Sequence, residues 1–396
     1  MGALLSRAQA LALVLGRVVP LGVVDVPLAE CAGRVLAEAA TARVDLPPFD
    51  ASAMDGFALR VEDVPGTLRI VGRAAAGRPS QRRLERGAAI AIATGGVVPE
   101  GADAVAPIED VLAGEGEVTV PAAVSRGANL RPRGADLAAG ELVVAAGVRL
   151  GAAHLGALAA AGVTSVRCRR APRVAVAVTG SELRAVGEAL GPGEIYDANG
   201  LILATQIRSA GGEPVLLPLV RDDPRLTREA VARGLGSDVL LTSGGVSVGE
   251  HDFVRQSEAE LGVEEVFWRV AVRPGRPLAF GVHERTLVFG LPGNPVSSLV
   301  GFELFVRPAL LALQGLAHPL PPFRPGRLER SAPLLPGRES LLRARLRVEG
   351  DAVLLEPLSG QESHMIARAA AAHALVLVPA GEGELAAGSA VSYLAL

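Results

Sequence analysis

The chain contains 396 residues and carries a formal net charge of −3 at pH 7. This length exceeds what one hydrophobic core normally holds, so roughly two to four domains are expected, and the small negative charge argues against a nucleic-acid-binding surface. All 39 basic residues are arginine, which excludes a pyridoxal Schiff base, a P-loop lysine and a lysine-dependent kinase site.

The lysine-free composition has two interpretations. Exchange of Lys for Arg throughout a GC-rich genome explains it better than selection for function does. In either case an oxyanion must be bound by Arg, by backbone N–H groups or through a metal. Guanidinium suits this task because it is planar, always charged and bidentate.

Cysteine content and hydropathy indicate a cytoplasmic protein without a membrane segment. Only Cys31 and Cys168 are present, too few for a disulfide framework or a thiolate metal cluster. Arg, Gly or Pro interrupts each apolar stretch before it reaches spanning length. Residues 1–19 lack a basic region before their apolar part and an obvious cleavage site, so they are interpreted as an amphipathic helix.

The first half of the chain is predicted to hold two domains, one inserted into the other. Alanine-rich stretches with a helical pattern flank a middle region rich in Gly and Pro, from Pro47 to about Asp136. The middle region has the pattern of a β-rich domain. Residues 1–45 and 137–170 are therefore assigned to a helical or mixed N-terminal domain, and residues 46–136 to the insertion.

From Ala171 onward, strand and helix patterns alternate. RVAVAV, EPVLLPLV and DVLLTS have strand patterns, and helical patterns follow the first two. Such alternation is typical of a doubly wound, mostly parallel α/β domain. LAFGV and TLVFG continue the strands, and residues 295–313 close the unit, assigned to 171–317, as a helix. A Pro-rich linker at 318–327 then leads into a small β-domain, assigned to 318–396.

Two glycine-containing loops follow buried strands in this α/β domain. In the first, Gly244, Gly245 and Gly249 allow a ligand to approach the backbone around Ser247. The second loop opens a helix, whose N-terminus attracts anions. Its candidate ligand-binding residues are Pro292, Gly293, Asn294 and Ser297. Together the loops indicate a nucleotide or phosphate ester bound with Mg²⁺.

Carboxylates converge on the same edge of the predicted sheet. Glu182 follows the first strand, Asp222 and Asp223 follow the second, and Glu250 and Asp252 end the first glycine loop. Like charges this close are costly unless a cation or ligand compensates them. Either Asp222 or Asp223 also has the position of a helix N-cap, and for these two that structural role is as well supported as a functional one.

The inserted region contributes further polar candidates. PPFDASAMDGFA carries Asp50 and Asp55 between small residues, with Phe49 and Met54 expected to be buried. Thr94 at a strand end and the RPRGAD segment are further polar candidates for ligand contact, although turns commonly contain such residues. The histidines show no metal-ligand spacing, and no Ser, His, Asp triad is evident.

Taken together, these motifs resemble the molybdopterin molybdenumtransferase family, which comprises the bacterial MoeA proteins and the gephyrin E domain. The resemblance extends over nearly the whole chain. The motifs that carry it occur in order: PPFDASAMDGFA, IATGGVVPEGADAV, RPRGAD, VTGSEL, IYDANG, RDDP, TSGGVSVGEHDF, RPGRP, GLPGNPVSS and QESHM.

This resemblance implies an elongated homodimer of four-domain subunits that inserts molybdate into adenylylated molybdopterin, with Mg²⁺-dependent release of AMP. It also implies contact with the preceding adenylyltransferase and with acceptor molybdoenzymes. The family's functional acids and threonine correspond to Asp55, Thr94, Asp136, Glu182, Asp222 and Asp252. Of these, Glu182, Asp222 and Asp252 are the candidate Mg²⁺ ligands.

The resemblance further implies an oxyanion pocket. The matching residues are Arg273, Pro274, Arg276, Ser297, Ser363 and, less closely, Arg343. The chain departs from the family where Lys is common, at Arg273 and Arg276, and where an acid is frequent, at Ser181. Arginine keeps the positive charge of lysine, but its planar, forked guanidinium has a different geometry from the lysine ammonium.

Two other functions fit parts of the sequence. The α/β loops also suit the adenylyltransferase that attaches AMP to the pterin, but the N-terminal motifs and the C-terminal β-domain argue against it. A non-catalytic scaffold that binds pterin or a protein partner is the other alternative, and retention of the whole set of acids disfavours it.

Overall fold

The structure, a computed structural model, describes residues 4–245 and 253–396. Helix α1 (Arg7–Leu15) begins at Ser6, whose hydroxyl accepts the Gln9 N–H at 3.2 Å, while the Gln9 side chain accepts the Ser6 N–H at 2.9 Å. This reciprocal capping satisfies two otherwise unpaired donors. The helix buries three side chains in the core of the α/β domain: Ala10, Leu11 and Val14. The start of the chain thus packs on the α/β domain, although the sequence groups it with the N-terminal domain.

The chain then crosses to the β-rich middle region. Strands β1 (Val23–Pro27) and β2 (Ala40–Thr41) precede a six-stranded mixed sheet of order β7-β4-β6-β5-β9-β8. Phe57 and Leu59 face one core and Ala58 the other, so this sheet is buried on both faces. The strands of the region are β3 (Ala51–Ser52), β4 (Gly56–Leu59), β5 (Gly66–Ala74), β6 (Ala88–Ile92), β7 (Ala104–Pro107), β8 (Leu112–Ala113), β9 (Glu117–Val120) and β10 (Leu130–Arg131).

The chain returns from the middle region to complete the N-terminal domain. It forms β11 (Leu142–Val144), α2 (Ala152–Ala160) and β12 (Ser165–Arg169). β11 pairs antiparallel with β2, and β12 pairs antiparallel with β1. The shared core contains both cysteines, and burial raises the pKa of the Cys168 thiol to about 11. Both thiols are therefore protonated at neutral pH and unreactive.

The α/β domain is a six-stranded sheet of order β16-β13-β17-β21-β20-β18, in which the first four strands are parallel. The doubly wound, mostly parallel fold is thereby confirmed. Its strands are β13 (Arg173–Val178), β14 (Leu183–Arg184), β15 (Ile195–Tyr196), β16 (Glu213–Leu216), β17 (Val239–Ser243), β18 (Glu264–Trp268), β19 (Val272–Arg273), β20 (Ala279–His283) and β21 (Thr286–Leu291). Its helices are α3 (Asn199–Ser209), α4 (Pro224–Gly234), α5 (Phe253–Glu260), α6 (Pro295–Gly301) and α7 (Arg307–Leu313).

Alternating residues of β13 show how helices cover both faces of this sheet. Val174 and Val176 share a core with α3, α6 and α7, whereas Ala175 and Ala177 share one with α4. β20 is antiparallel to its neighbours, since only Glu284 and Arg285 separate it from β21. A two-residue connection can join only antiparallel strands.

The closing helix is continuous from Pro295 to Leu313. A π-helical turn, Phe302–Val306, joins α6 to α7. Among the described residues this is the one helix long and apolar enough to cross a membrane, and 78% of its most apolar window is buried inside the protein. Such burial is typical of a core helix.

The C-terminal domain is a closed barrel of five strands, with β19 of the preceding domain added alongside β24. Its elements are β22 (Arg324–Leu328), β23 (Ala332–Pro333), β24 (Glu339–Glu349), β25 (Ala352–Pro357), α8 (Ile366–Ala369), β26 (Ala374–Val378), β27 (Glu384–Leu385) and β28 (Ala390–Ala395). β22 begins inside the segment predicted to be a linker, because Arg324 and Arg327 pair with β28 despite the neighbouring prolines.

Candidate active site

A cleft of about 660 Å³ lies at the carboxyl ends of β13, β17 and β21. In open parallel sheets this edge is where ligands bind. Residues predicted from the sequence that line it are Glu182, Asp222, Gly244, Gly245, Pro292, Gly293 and Asn294. Other lining residues were not predicted: Tyr196, Asp197, Asn199, Pro277 and His364.

The glycine positions bring three loops into close contact at the floor of the cleft. Gly244 has a φ of +96°, and a Cβ there would lie 2.6 Å from the carbonyl oxygen of Thr179. Gly293 faces it, since a Cβ on Gly293 would lie 3.6 Å from the Gly244 Cα. Side chains at Gly244 would therefore separate the loops, and glycine leaves backbone accessible to a ligand.

The two adjacent acids after β16 have different roles. The Asp223 carboxylate accepts the Leu226 N–H at 2.8 Å and caps α4. Asp222 instead lines the cleft, where its carboxylate accepts the Ser181 N–H at 3.1 Å. The geometry thus separates the two alternatives that the sequence left open, with Asp223 as the cap and Asp222 as the candidate site residue.

The acids at this edge fit a hard cation such as Mg²⁺, which prefers carboxylate and water oxygens. Glu182 and Asp222 line the cleft, and the third predicted ligand, Asp252, lies outside the described residues together with Ser247, Gly249 and Glu250. Within 4–245 and 253–396, no group of three or more His, Cys, Asp or Glu side chains could hold a metal ion. A cation bound here would need further ligands from the substrate phosphates, from water or from Asp252.

Asn199 is a cleft residue that the sequence analysis did not assign. Its side chain is 7% exposed, and its amide nitrogen donates to the Ser243 hydroxyl at 2.8 Å and to the Gly293 carbonyl at 2.7 Å. It therefore ties the start of α3 to the ends of β17 and β21. The signal was present, since IYDANG places a polar residue where the next helix begins.

The arginines of the predicted oxyanion pocket are exposed. Arg273 lies in β19 and, with Pro274, lines a separate pocket of about 250 Å³ against the barrel, whereas Pro277 lines the main cleft. Neither Arg273 nor Arg276 has a side-chain hydrogen bond or ion pair with any other residue in the described part of the chain. Their charges are therefore not neutralised by the described carboxylates.

The remaining oxyanion candidates belong to the junction of the α/β and C-terminal domains. Ser297 is buried in the first turn of α6, and the Ser363 carbonyl accepts the Val296 N–H at 3.1 Å. Arg343 is 2% exposed and donates to three backbone carbonyls, those of Met365 at 2.8 Å, Gly360 at 2.8 Å and Glu362 at 3.1 Å. Burial lowers the pKa of its guanidinium. These bonds give Arg343 the role of holding the loop that carries Ser363.

The N-terminal motifs meet at one end of the inserted sheet. The Asp55 carboxylate accepts the Thr94 N–H at 2.9 Å, and the Asp50 carboxylate accepts the Arg133 N–H at 2.8 Å. Asp136 is exposed on the segment that follows Arg133, and its N–H donates to the Leu46 carbonyl at 2.9 Å. Three motifs far apart in sequence therefore form one polar cluster. Phe49 and Met54, expected to be buried, are each 38% exposed because they lie on this cluster's surface loop.

This cluster and the cleft are not joined by direct polar contacts. Among residues 4–245 and 253–396, no hydrogen bond or ion pair links the inserted domain to a residue that lines the cleft. Asp55, Thr94 and Asp136 therefore stand apart from Glu182 and Asp222 within the described part of one chain.

Family models match this chain in three consecutive blocks. The MoeA N-terminal region (domains I and II) matches residues 5–162, a probable molybdopterin-binding domain matches 175–312, and the MoeA C-terminal region (domain IV) matches 325–396. The chain is 39% identical over 292 residues to the molybdopterin molybdenumtransferase of Haemophilus influenzae, covering 73% of this chain and 72% of that one. It is 35% identical over 381 residues to molybdopterin molybdenumtransferase 2 of Mycobacterium tuberculosis, covering 92% and 93%.

Solved structures agree with these matches. Two structures of the molybdopterin biosynthesis MoeA protein from Pyrococcus horikoshii superpose with TM-scores of 0.82 and 0.85, at 32% and 27% identity. Each comparison covers 99% of this chain and at least 99% of the other. The fold and the cleft thus define a protein of the molybdopterin-binding class. More narrowly, the chain belongs to the molybdopterin molybdenumtransferase (MoeA) family.

Proposed function

We propose that this protein inserts molybdate into adenylylated molybdopterin with release of AMP, giving molybdenum cofactor. The observation that carries this proposal is the cleft, in which glycine loops at the ends of parallel strands stand beside Glu182 and Asp222. Exposed backbone suits phosphates, and carboxylates suit the cation that accompanies them. Membership of the molybdopterin molybdenumtransferase family supports the particular reaction, insertion of molybdate, that this cleft is proposed to catalyse.

The reaction brings a tetrahedral dianion beside an anionic pyrophosphate, so positive charge must be supplied at both. Arg273 and Arg276, together with the helix start at Ser297, supply it for molybdate. Glu182, Asp222 and Asp252 would hold Mg²⁺ or its waters, and the bound ion would screen the phosphates. An oxygen of molybdate then attacks the adenylyl phosphorus, the bond from that phosphorus to the pterin phosphate breaks, and adenylyl molybdate forms. The two dithiolene sulfurs of the pterin next displace the AMP oxygen from molybdenum, which releases AMP and leaves molybdenum bound to the pterin without a change of oxidation state.

The adenylyltransferase alternative is less well supported. The relatives that cover most of the chain carry the transferase name, and the inserted and C-terminal domains match MoeA models. A non-catalytic scaffold would not need the ordered Asp55–Thr94 and Ser181–Asp222 contacts. The protein is proposed to act in the cytoplasm as a homodimer. Its proposed protein partners are the adenylyltransferase that precedes it and the molybdoenzymes that accept its product.

The deciding experiment is incubation of the protein with adenylylated molybdopterin, molybdate and Mg²⁺, with AMP measured over time. AMP should appear only when all three are present. Attachment of AMP to free molybdopterin from ATP, with release of pyrophosphate, would support the adenylyltransferase alternative, whereas AMP release that does not depend on molybdate would contradict the insertion reaction. Binding of the pterin without any turnover would support the scaffold.

Arg276→Ala should raise the molybdate concentration needed for half-maximal AMP release by about tenfold, because a charged hydrogen bond contributes roughly 1.5 kcal/mol or more. Affinity for the adenylylated pterin should change far less, since an oxyanion in a small pocket depends on few contacts. Arg276→Lys should recover part of the loss by restoring charge without the fork. Separate titrations with molybdate and with the pterin measure the two effects.

Arg285→Ala is the matched control, because Arg285 is also exposed and lies in the β20–β21 turn at the amino end of β21, away from the cleft. It should leave both titrations unchanged. Arg276 would have only a structural role if Arg276→Ala lost affinity for molybdate and for the pterin equally. The same conclusion would follow from a lowered melting temperature with no effect on the molybdate requirement.

A shared active site is proposed because the Asp55–Thr94 cluster has no polar link to the cleft of its own described chain. A two-fold dimer would bring the cluster of one copy to the cleft of the other. Asp55→Asn and Glu182→Gln should each abolish most turnover. Randomly mixed subunits of the two variants should recover about a quarter of wild-type turnover, since half of the dimers have one intact site.

Co-expression with two different tags, followed by isolation of the mixed dimer and the AMP assay, tests this expectation, and the isolated mixed dimer should reach about half of wild-type turnover because one of its two sites is intact. Each variant mixed with itself is the control. Mixed dimers as inactive as the two parent variants would contradict the shared site. A protein that is monomeric by light scattering and fully active in the AMP assay would also contradict it.

A further inference from the structure

The loops that follow β13 and β16 leave the sheet side by side and then join through one pair of residues. The Gly180 N–H donates to the Val220 carbonyl at 3.0 Å, which keeps the two loops together. Just beyond this bond, the Asp222 N–H donates to the Ser181 hydroxyl oxygen at 3.0 Å, and the Ser181 N–H donates to Asp222 Oδ2 at 3.1 Å. Each side chain thus accepts the backbone N–H of the other.

This reciprocal pair fixes the Asp222 side chain. One carboxylate oxygen is held by Ser181, while Oδ1 has no protein partner among the described residues and stays available at the cleft. The turn behind Ser181 is braced in its own right, because Arg184 donates to the Ser181 carbonyl at 3.3 Å and forms an ion pair with Glu194. The Ser181 hydroxyl therefore anchors the Asp222 backbone, while the Ser181 N–H holds the Asp222 carboxylate.

We infer that Ser181 is a positioning residue for the reaction, which orients the Asp222 carboxylate toward the cation that accompanies the substrate phosphates. This inference rests on the proposed function. The Ser181 hydroxyl anchors Asp222 without carrying a charge. It therefore avoids the repulsion with Glu182 and Asp222 that an acid at this position would cause.

The test compares Ser181→Ala with Ser181→Thr. Alanine removes the acceptor of the Asp222 N–H, so the Asp222 backbone loses its anchor and only the Ser181 N–H still holds the carboxylate, whereas threonine keeps a hydroxyl at the same position. Loss of an orienting contact to a metal ligand typically costs about 10- to 100-fold in affinity or rate. Ser181→Ala should therefore weaken Mg²⁺ binding and lower maximal AMP release by about tenfold, and Ser181→Thr should remain within about threefold of wild type.

Two readouts are needed. Calorimetric titration of Mg²⁺ into protein saturated with AMP reports cation affinity without turnover, and the AMP-release assay reports the reaction. Ser80→Ala is the matched control, because the Ser80 hydroxyl oxygen also accepts a nearby backbone N–H, that of Arg82 at 3.2 Å, on an exposed loop of the inserted domain. It should change neither readout.

The inference is overturned if Ser181→Ala binds Mg²⁺ like wild type, if it and Ser80→Ala change equally, or if the folded Ser181→Thr variant fails to recover. Wild-type protein that binds no Mg²⁺ in the presence of AMP would also overturn it. Wild-type protein that binds Mg²⁺ with AMP but releases none from the adenylylated pterin would count against the proposed function alone. In that case the calorimetric comparison still decides the role of Ser181.

Discussion

Glu182→Gln and Asp222→Asn are each expected to lower Mg²⁺-dependent AMP release by about 10- to 100-fold while leaving the fold intact. Both side chains line the cleft, and neither forms an ion pair with any arginine of the described chain. Their replacement by amides removes negative charge without removing buried packing. The loss should therefore appear in the reaction and in its dependence on Mg²⁺ concentration, and not in the melting temperature.

Asp223→Asn provides an internal comparison, since Asp223 adjoins Asp222 but caps α4. Asparagine is a good N-cap, so this variant should retain most of its stability, and Asp223→Ala should lose about 1 kcal/mol. Neither should change the Mg²⁺ dependence. Normal AMP release by Asp222→Asn, or an equal fall in both Asp222 and Asp223 variants, would assign Asp222 a structural role.

The sequence was informative wherever local pattern decides structure. Alternating strands and helices from Ala171 predict the parallel sheet, and strand ends followed by glycine place Gly244 and Gly293 in the cleft. These features depend on residues near one another in the chain. The direction of β20 was also readable, since two residues between it and β21 allow no crossover, yet its pattern alone was interpreted as one more strand of the series.

Features set by contacts between distant segments were not predictable in this way. An amphipathic pattern at residues 1–19 does not say which core the helix enters, and α1 packs on the α/β domain. Asn199 has an ordinary position at a helix start, and its role depends on Ser243 and Gly293 lying within reach. The different roles of Asp222 and Asp223 likewise could not be told from the sequence, because both occupy acceptable cap positions and only their contacts distinguish them.

Arginine residues illustrate the same limit most directly. With no lysine in the chain, every cation is Arg, so residue type cannot distinguish a ligand-binding guanidinium from a structural one. The distinction lies in their surroundings: Arg276 is exposed and unpaired among the described residues, whereas Arg343 is enclosed by carbonyl groups. The candidate oxyanion arginines thus divide into two that are exposed and one, Arg343, that is buried and holds the loop of residues 360–365.

Arg343→Met should have the largest effect on stability, a loss of about 3 kcal/mol, because the carbonyls of Gly360, Glu362 and Met365 lose their donors together and each unmet acceptor costs roughly 1 kcal/mol or more. Methionine is chosen because it preserves much of the buried volume. Hydrogen exchange of residues 359–366 should accelerate, since the loop loses its anchor.

Arg345→Met is the control on the same strand, because the Arg345 side chain is 56% exposed and meets Glu356 only at 3.8 Å, an ion pair of a kind that contributes little. It should change neither exchange nor melting temperature.

In Arg343→Met the molybdate requirement should rise only as far as the loosened loop displaces Ser363, so the two effects should appear together. A variant with unchanged exchange and melting temperature that nevertheless fails to use molybdate would place the Arg343 guanidinium in direct contact with the oxyanion. Burial behind three carbonyls argues against that outcome, since donors already committed to the backbone would have to be released before they could bind a ligand.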